Sequence, residues 1–537
     1  MSEIIVEEKS SFRSFLPAIC VIVGSVLMAL LRIQVGGDKF ISDGALMMLA
    51  LACYLIAAIF YLTNLYAPSE MAEKVGYWTA IFGVFFNFSS WCVRWVAAYD
   101  RELAILLKEG KSAEQMEWVF RFIPFANLYD LSLAFAFGAG ITTLLIAQRK
   151  SFRFVGAISL PIASLILILA RFIGDEFTNL QPVLDSYWRP IHVGVASLSY
   201  GIGLVCFAIA VLYLLKDGVK TEAMAIWSSI FGFAVIATIG RWGVLTTFTY
   251  SMSTVRRLDD GRIVSLPLRA DIPYAGPVLF VTALLLFAVI IAFAVYLSKK
   301  NEQARTWGHH LLKLSFVVQL CGIVLIASQA SSIKNVMPNI DKGQYYEFGK
   351  WLAEQSILAE EQRTQITPED IERIAQIPRE TLVKASSDWV EQVGPTLFMS
   401  LKGNPVEFSA LITAMVGTFF VILFSFRTER LRESLPPLKK LDSLMYLTAS
   451  ATFAGLAMLL ITGAVWANES WGRYWGWDPK ETGAFVAWVT YGVFLHTRIT
   501  HGWIGRRSAY FALLGFMFII FTYLGVSYLL KGLHSYA

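Results

Sequence analysis

IHVGVASLSYGIGLVCFAIAVLYLL, residues Ile191–Leu215, holds no charged residue and one histidine near its start. As an α-helix at 1.5 Å per residue it reaches roughly 37 Å, enough to cross about 30 Å of hydrocarbon. About thirteen such runs can be drawn, from Phe15–Leu31 to Tyr510–Leu530, among them Leu444–Trp466 and Glu481–Leu495. Composition agrees. Hydrophobic residues make up 56% of the 537 and charged residues 16%, against about 25% charged in an average soluble protein. No water-soluble fold hides that much apolar surface, so the expected fold is an all-α polytopic membrane protein. A secreted disulfide scaffold, a disordered chain and a nucleic-acid-binding module are excluded. The net charge of +5 is too small and too scattered for a phosphate-reading surface.

Short basic loops set the expected orientation. Arg149–Arg153, Lys216–Lys220, Lys299–Arg305, Arg427–Lys440 and Arg498–Arg507 are separated by even numbers of spans, which puts all five on one face. The positive-inside rule makes that face cytoplasmic, with the N-terminus inside and the C-terminus outside. Arg256, Arg257, Arg262 and Arg269 then fall on the outside, in conflict with the rule. Met1–Arg13 does not resemble a cleavable signal, so the first apolar run is expected to stay as a span. The division expected is a membrane region over 1–216, further spans over 217–330, a small helical extracytoplasmic insert over 331–408, a span and basic loop over 409–440, and a last membrane region over 441–537. Thr367-Pro368-Glu369-Asp370 reads as a helix start inside the insert.

The chemistry-bearing residues are few. Cys20, Cys53, Cys92, Cys206 and Cys321 lie in apolar runs without Cys-x-x-Cys spacing and read as buried small hydrophobes. The densest feature is Trp466-Ala467-Asn468-Glu469-Ser470-Trp471-Gly472-Arg473-Tyr474-Trp475-Gly476-Trp477-Asp478-Pro479-Lys480-Glu481-Thr482. Its aromatics Trp466, Trp471, Tyr474, Trp475 and Trp477 are expected to form a flat outward-facing platform, fixed by a capping-box-like helix start at Asp478. An aromatic belt at the lipid interface is the alternative reading. Of the six histidines, His309, His310 and His501 read as solvated loop residues. His192 and His534 fall on the outer face with the tryptophans. Two imidazoles and apolar walls are what an iron porphyrin needs, so haem suits the inventory better than zinc or copper. His496, 17 residues beyond Pro479 and so about 26 Å along the helix, is a functional candidate within a span or a side chain reaching the inner headgroups beside Arg498. Arg189, Arg473 and Lys480 are candidates for the haem propionates or for lipid headgroups.

The run Trp466–Thr482, followed by Leu495-His496-Thr497-Arg498, resembles the WWD signature of the CcsA (ResC) family of System II cytochrome c maturation, within the haem-handling group that includes CcmC and CcmF. Asn127-Leu128-Tyr129-Asp130, Ser186-Tyr187-Trp188, Ile191-His192-Val193 and Gly532-Leu533-His534-Ser535-Tyr536 are similar in the same order. The resemblance covers about the first 215 and last 95 residues, with roughly four extra spans and the insert between. It implies that His192 and His534 ligate haem b, carried non-covalently as a substrate in transit. It also implies that His496 receives haem from the cytoplasmic side. The implied partners are a CcsB (ResB)-type membrane protein, an apocytochrome c, indirectly a thiol-reducing thioredoxin-like protein, and the bilayer. The implied location is the bacterial cytoplasmic membrane. The implied role is the haem-binding subunit of a holocytochrome c synthase (haem lyase). A haem exporter or relay without ligation is a second reading. A secondary transporter lined by Asn87, Arg94, Arg171 and Arg241 is a third.

Overall fold

The computed structural model describes residues 12–115, 119–177, 182–258, 263–361 and 366–525. Six helices open the chain: α1 (Phe12–Val35), α2 (Asp43–Tyr66), α3 (Glu70–Lys108), α4 (Leu128–Ala147), α5 (Gly156–Ile173) and α6 (Trp188–Lys216). Then come α7 (Thr221–Thr238), the short α8 (Gly243–Thr246), a hairpin of β1 (Ser251–Arg257) and β2 (Ile263–Asp271), α9 (Ala275–Lys299) and α10 (Glu302–Ser332). Three shorter helices, α11 (Tyr345–Glu360), α12 (Pro368–Ala375) and α13 (Arg379–Val393), precede α14 (Pro405–Ser425). The chain closes with α15 (Thr428–Ser434), α16 (Leu438–Trp471), α17 (Pro479–His501) and α18 (Arg506–Ile520), the last running into a π-helical turn over Phe521–Gly525. Among the described residues, twelve helices are long and apolar enough to cross a membrane. The chain is a multi-pass, helical membrane protein. The thirteenth expected span is the 23-residue α17, which carries Lys480, Glu481, His496, Arg498 and His501 and is not among those twelve.

The chain divides into two compact units, residues 1–219 with 427–537 and residues 220–426. In the first, α2 packs on α3 and α5, α4 on α5 and α6, and α16 and α18 on α6. Lipid offers no hydrophobic drive between helices, so close backbone approach over small residues holds such bundles together. Gly138 and Gly201 meet where α4 crosses α6, and a Cβ on Gly201 would overlap the Gly138 backbone. A chain of hydrogen bonds pairs two of the buried polar side chains. Tyr54 donates to Asn87 Oδ1 at 3.1 Å, and Asn87 Nδ2 donates to the Leu133 carbonyl at 3.0 Å. Cys92 and Cys206 are buried as expected; Cys20 and Cys321 instead lie on exposed apolar helix faces.

In the second unit, α7, α9, α10 and α14 pack around Ala225, Val289, Phe293, Leu312 and Val421. Thr367 caps α12 through a capping box with Asp370, as its sequence predicts. The hairpin is an element the apolar-run reading missed, because Arg256, Arg257 and Pro267 break its pattern. Pro267, which has no N–H to give, sits in β2 beside the register shift between Ser253 and Val255. Single bridges join Val255 to Phe398 and Ala270 to Ile340, and Arg269 pairs with Glu407 at 3.2 Å. Arg256, Arg257 and Arg269, which conflicted with the charge rule, thus belong to a hairpin joined to the 331–408 insert, and Arg262 lies outside the described residues. Folded domains cross membranes largely regardless of charge.

Candidate functional site

The first unit carries a cavity where the start of α6, the end of α16, the start of α17 and the segment before α4 converge. Its non-atom space, open mouth and adjoining solvent included, is about 1110 Å³. His192, Arg189, Trp466, Tyr474, Trp475 and Lys480 all line it.

His192 is the best-defined donor. Its Nδ1 lies 3.1 Å from the Leu459 carbonyl and 3.4 Å from Thr462 Oγ1. A carbonyl only accepts, so Nδ1 carries the proton and Nε2 keeps its lone pair, the tautomer that binds a metal. Thr462 gives its own proton to the Met458 carbonyl at 2.8 Å, leaving a hydroxyl lone pair toward Nδ1. Room for the ring comes from Gly463, where a Cβ would stand 2.7 Å from His192 Cε1. The Trp466 ring lies 5.6 Å from the imidazole, and its Nε1 donates to the Leu184 carbonyl at 3.3 Å.

The tryptophan segment is not one flat platform. Gly472 ends α16 at φ 68°, and Trp477 is left-handed at φ 56° just before the cap, so the loop reverses and its rings turn across one another. Trp466 and Trp471 are tilted by 54°, and Trp475 meets Trp477 edge-on at 90°. Trp466, Tyr474 and Trp475 face the cavity; Trp471 backs Trp466, and Trp477 stands 70% exposed. Asp478 caps α17. It accepts from the Lys480 N–H at 2.9 Å, while Glu481 accepts from the Asp478 N–H at 3.2 Å and the Gly476 N–H at 2.8 Å.

Of the cationic candidates, Arg189 is buried, donates to the Arg121 carbonyl at 3.1 Å and stands 3.9 Å from Asp185. Arg473 is exposed and lies against Gly476, where a Cβ would come within 3.0 Å of its Nε. His496 does not line the cavity. It is exposed on α17, its ring 5.9 Å from that of His501. His534 lies outside the described residues. Phe125, Tyr200 and Tyr523, which the sequence reading missed, also line the cavity, as do Asn127 and Leu128, which it quoted in a motif without giving them a place in the site. Tyr523 sits on the π-helical turn with its hydroxyl 2.6 Å from Ser132 Oγ. The motif Asn127–Asp130 was the available signal. Asn87 and Arg94 are buried with their partners in the first unit, Arg171 is exposed there, and Arg241 is exposed in the second.

The sequence model of the family described as "Cytochrome C assembly protein" matches residues 125–328 and 405–534, more than half of the chain. The chain belongs to that family. Within this family member the match runs through α9 and most of α10 and breaks over 329–404, which holds α11, α12 and α13. Over 138 residues the chain is 51% identical to the cytochrome c biogenesis protein CcsA of Mesostigma viride, covering 26% of this chain and 43% of that protein. It is 54% identical over 99 residues to that of Guillardia theta (18% and 33%), and 41% identical over 126 residues to that of Chlamydomonas reinhardtii (24% and 36%). The chain thus spans less than half the length of these curated relatives.

Proposed function

We propose that this protein serves cytochrome c biogenesis by holding haem at the outer face of a bacterial cytoplasmic membrane. There it would present haem for covalent attachment to a Cys-x-x-Cys-His apocytochrome c. The observation that carries the reading is His192, locked by Leu459 into the metal-binding tautomer beside a cavity walled by Trp466, Trp475 and Phe125. The donor set and walls suit haem as the substrate: one imidazole, apolar ring-bearing faces, and cations at Arg189 and Lys480 for propionates. The second axial ligand in this reading is His534, and His496 takes haem earlier, from the cytoplasmic side. A CcsB-type membrane protein supplies the partner surfaces and the remaining ligand, and a thioredoxin-like protein keeps the substrate thiols reduced.

The attachment itself adds each cysteine S–H across a haem vinyl group. A C–S bond forms at one vinyl carbon, the proton ends on the other, and nothing is oxidised. Such an addition needs geometry more than acid or base strength. Holding thiol and vinyl together supplies several kcal/mol of the barrier as prepaid entropy. In this chain His192 fixes the iron axis, Trp466 and Trp475 exclude water from the porphyrin faces, and Arg189 and Lys480 orient the propionate edge. The incoming motif's histidine would displace His534, the more easily moved ligand.

The test is haem attachment to a reporter apocytochrome in membranes, with and without a CcsB-type partner. Attachment that needs this chain, the partner and His192 together supports a synthase subunit. Haem binding and release without attachment, with the partner present, would replace ligation by export or relay.

A further inference from the structure

A buried arginine in a membrane helix is costly unless it does what an apolar side chain cannot. Arg94 on α3 has no exposed side-chain surface, and nothing in the site described so far uses it. Its guanidinium donates through Nε to Asp130, and through Nη1 to Asp43 Oδ2 at 3.2 Å and the Asp175 carbonyl at 2.7 Å. Nη2 reaches the Glu176 carbonyl at 3.4 Å. The rings of Tyr129 and Phe177 lie 4.5 and 4.3 Å from it. One cation thereby joins the first turn of α2, the start of α4 and the segment after α5.

The next bonds outward reach the cavity. The second Asp130 oxygen accepts from the Ala126 N–H at 2.9 Å. The Asp130 N–H donates to Asn127 Oδ1 at 3.0 Å, and Asn127 Nδ2 donates to the Glu176 carbonyl at 3.1 Å. Tyr129 adds a bond from its hydroxyl to Asp43 at 3.2 Å. Phe125, Ala126, Asn127 and Leu128 are cavity wall. The first three precede α4: Asp130, itself held by Arg94, binds the Ala126 N–H and Asn127, while the Phe125 ring packs against Trp91.

We infer that Arg94 is a positioning residue for haem. Acting through Asp130, it fixes the 125–128 wall against the His192 side of the cavity. A guanidinium fork suits this work because it sets angle as well as distance. The inference rests on the haem reading above.

The experiment compares purified full-length parent, Arg94→Lys and Tyr129→Phe. It records the oxidised and reduced haem spectrum, the rate of haem loss to apomyoglobin, and thermal unfolding. Arg94→Lys keeps the charge and loses the fork. It is expected to release haem about tenfold faster, the scale on which supporting residues act at metal sites, and to shift the oxidised spectrum toward mixed spin. Tyr129→Phe, which keeps the ring against the guanidinium and removes only the hydroxyl bond to Asp43, shifts both readouts less, in the same direction, with little change in unfolding. A folded Arg94→Lys protein with the parent spectrum and release rate overturns the inference. If that variant does not fold, parent-like behaviour of Tyr129→Phe overturns it. A parent that binds no haem removes the haem reading itself, and this inference with it.

Discussion

Gly463→Ala separates the fold from the site. The new Cβ would stand 2.7 Å from His192 Cε1 and 3.0 Å from Nδ1. Carbon atoms rest about 3.5–4.0 Å apart, so the ring must retreat by roughly 0.8 Å or more. That breaks the 3.1 Å bond from Nδ1 to the Leu459 carbonyl. A lost hydrogen bond costs about 1 kcal/mol, while alanine in place of a mid-helix glycine returns up to about 1 kcal/mol. The two nearly cancel, and the melting temperature is expected to stay within a few degrees of the parent. The proposed haem site has no such compensation. Displacing a residue that orients a ligand costs about 10–100-fold in metal affinity. The assay is a spectral haem titration of the purified protein beside a thermal melt. Parent-like affinity and spectrum in Gly463→Ala would refute the claim that His192 is an oriented ligand. A collapse of the melt would refute the claim that the crowding is local.

Other expectations follow from single contacts. Trp466→Phe keeps a ring beside His192 but strips the Leu184 carbonyl of its donor, a cost of about 1–3 kcal/mol; urea unfolding of the haem-free protein checks it, and no loss would mean that water replaces the bond. Asp478→Ala removes the cap of α17 and is expected to cost about 0.5–2 kcal/mol, with Asp478→Asn recovering most of it; equal melts for the two variants would contradict this. Burial, then the neighbouring Asp341, pushes the Asp271 carboxyl above its ordinary value, with Arg269 pulling it back. Between the ordinary and raised values the folded chain holds a proton that the unfolded chain has lost, so stability falls as pH rises through that window. Asp271→Asn is therefore expected to raise the melting temperature at neutral pH and flatten that slope; an unchanged pH profile would show that the carboxyl is not strained.

Much of this molecule is written in its apolar runs. Thirteen helices lie where the runs lie, because a span must satisfy its own backbone and leaves one solution. The caps at Thr367 and Asp478 were equally legible, since each side chain meets backbone within its own turn. What escaped was long-range. The hairpin at Ser251–Asp271 is held by Phe398 and Ile340, more than sixty residues away, and its own charges hide it. The tryptophan segment announced a site, but only the left-handed turns at Gly472 and Trp477 decide which rings face inward. His192 was found by residue type and position. Its orientation depends on Leu459 and Gly463, which no local pattern marks. Arg94 was noticed as an intramembrane charge, and its work is visible only once Asp43, Asp130 and Asp175 surround it.

The central claim is that His192 binds the iron of a haem beside Trp466. The most direct test is the absorption spectrum of the detergent-purified chain, oxidised and reduced, for the parent, His192→Ala and His534→Ala. The account predicts a low-spin, bis-histidine haem in the parent that each substitution converts to a weaker-held, five-coordinate form. A parent without haem, or a bis-histidine spectrum that persists in His192→Ala, would contradict it.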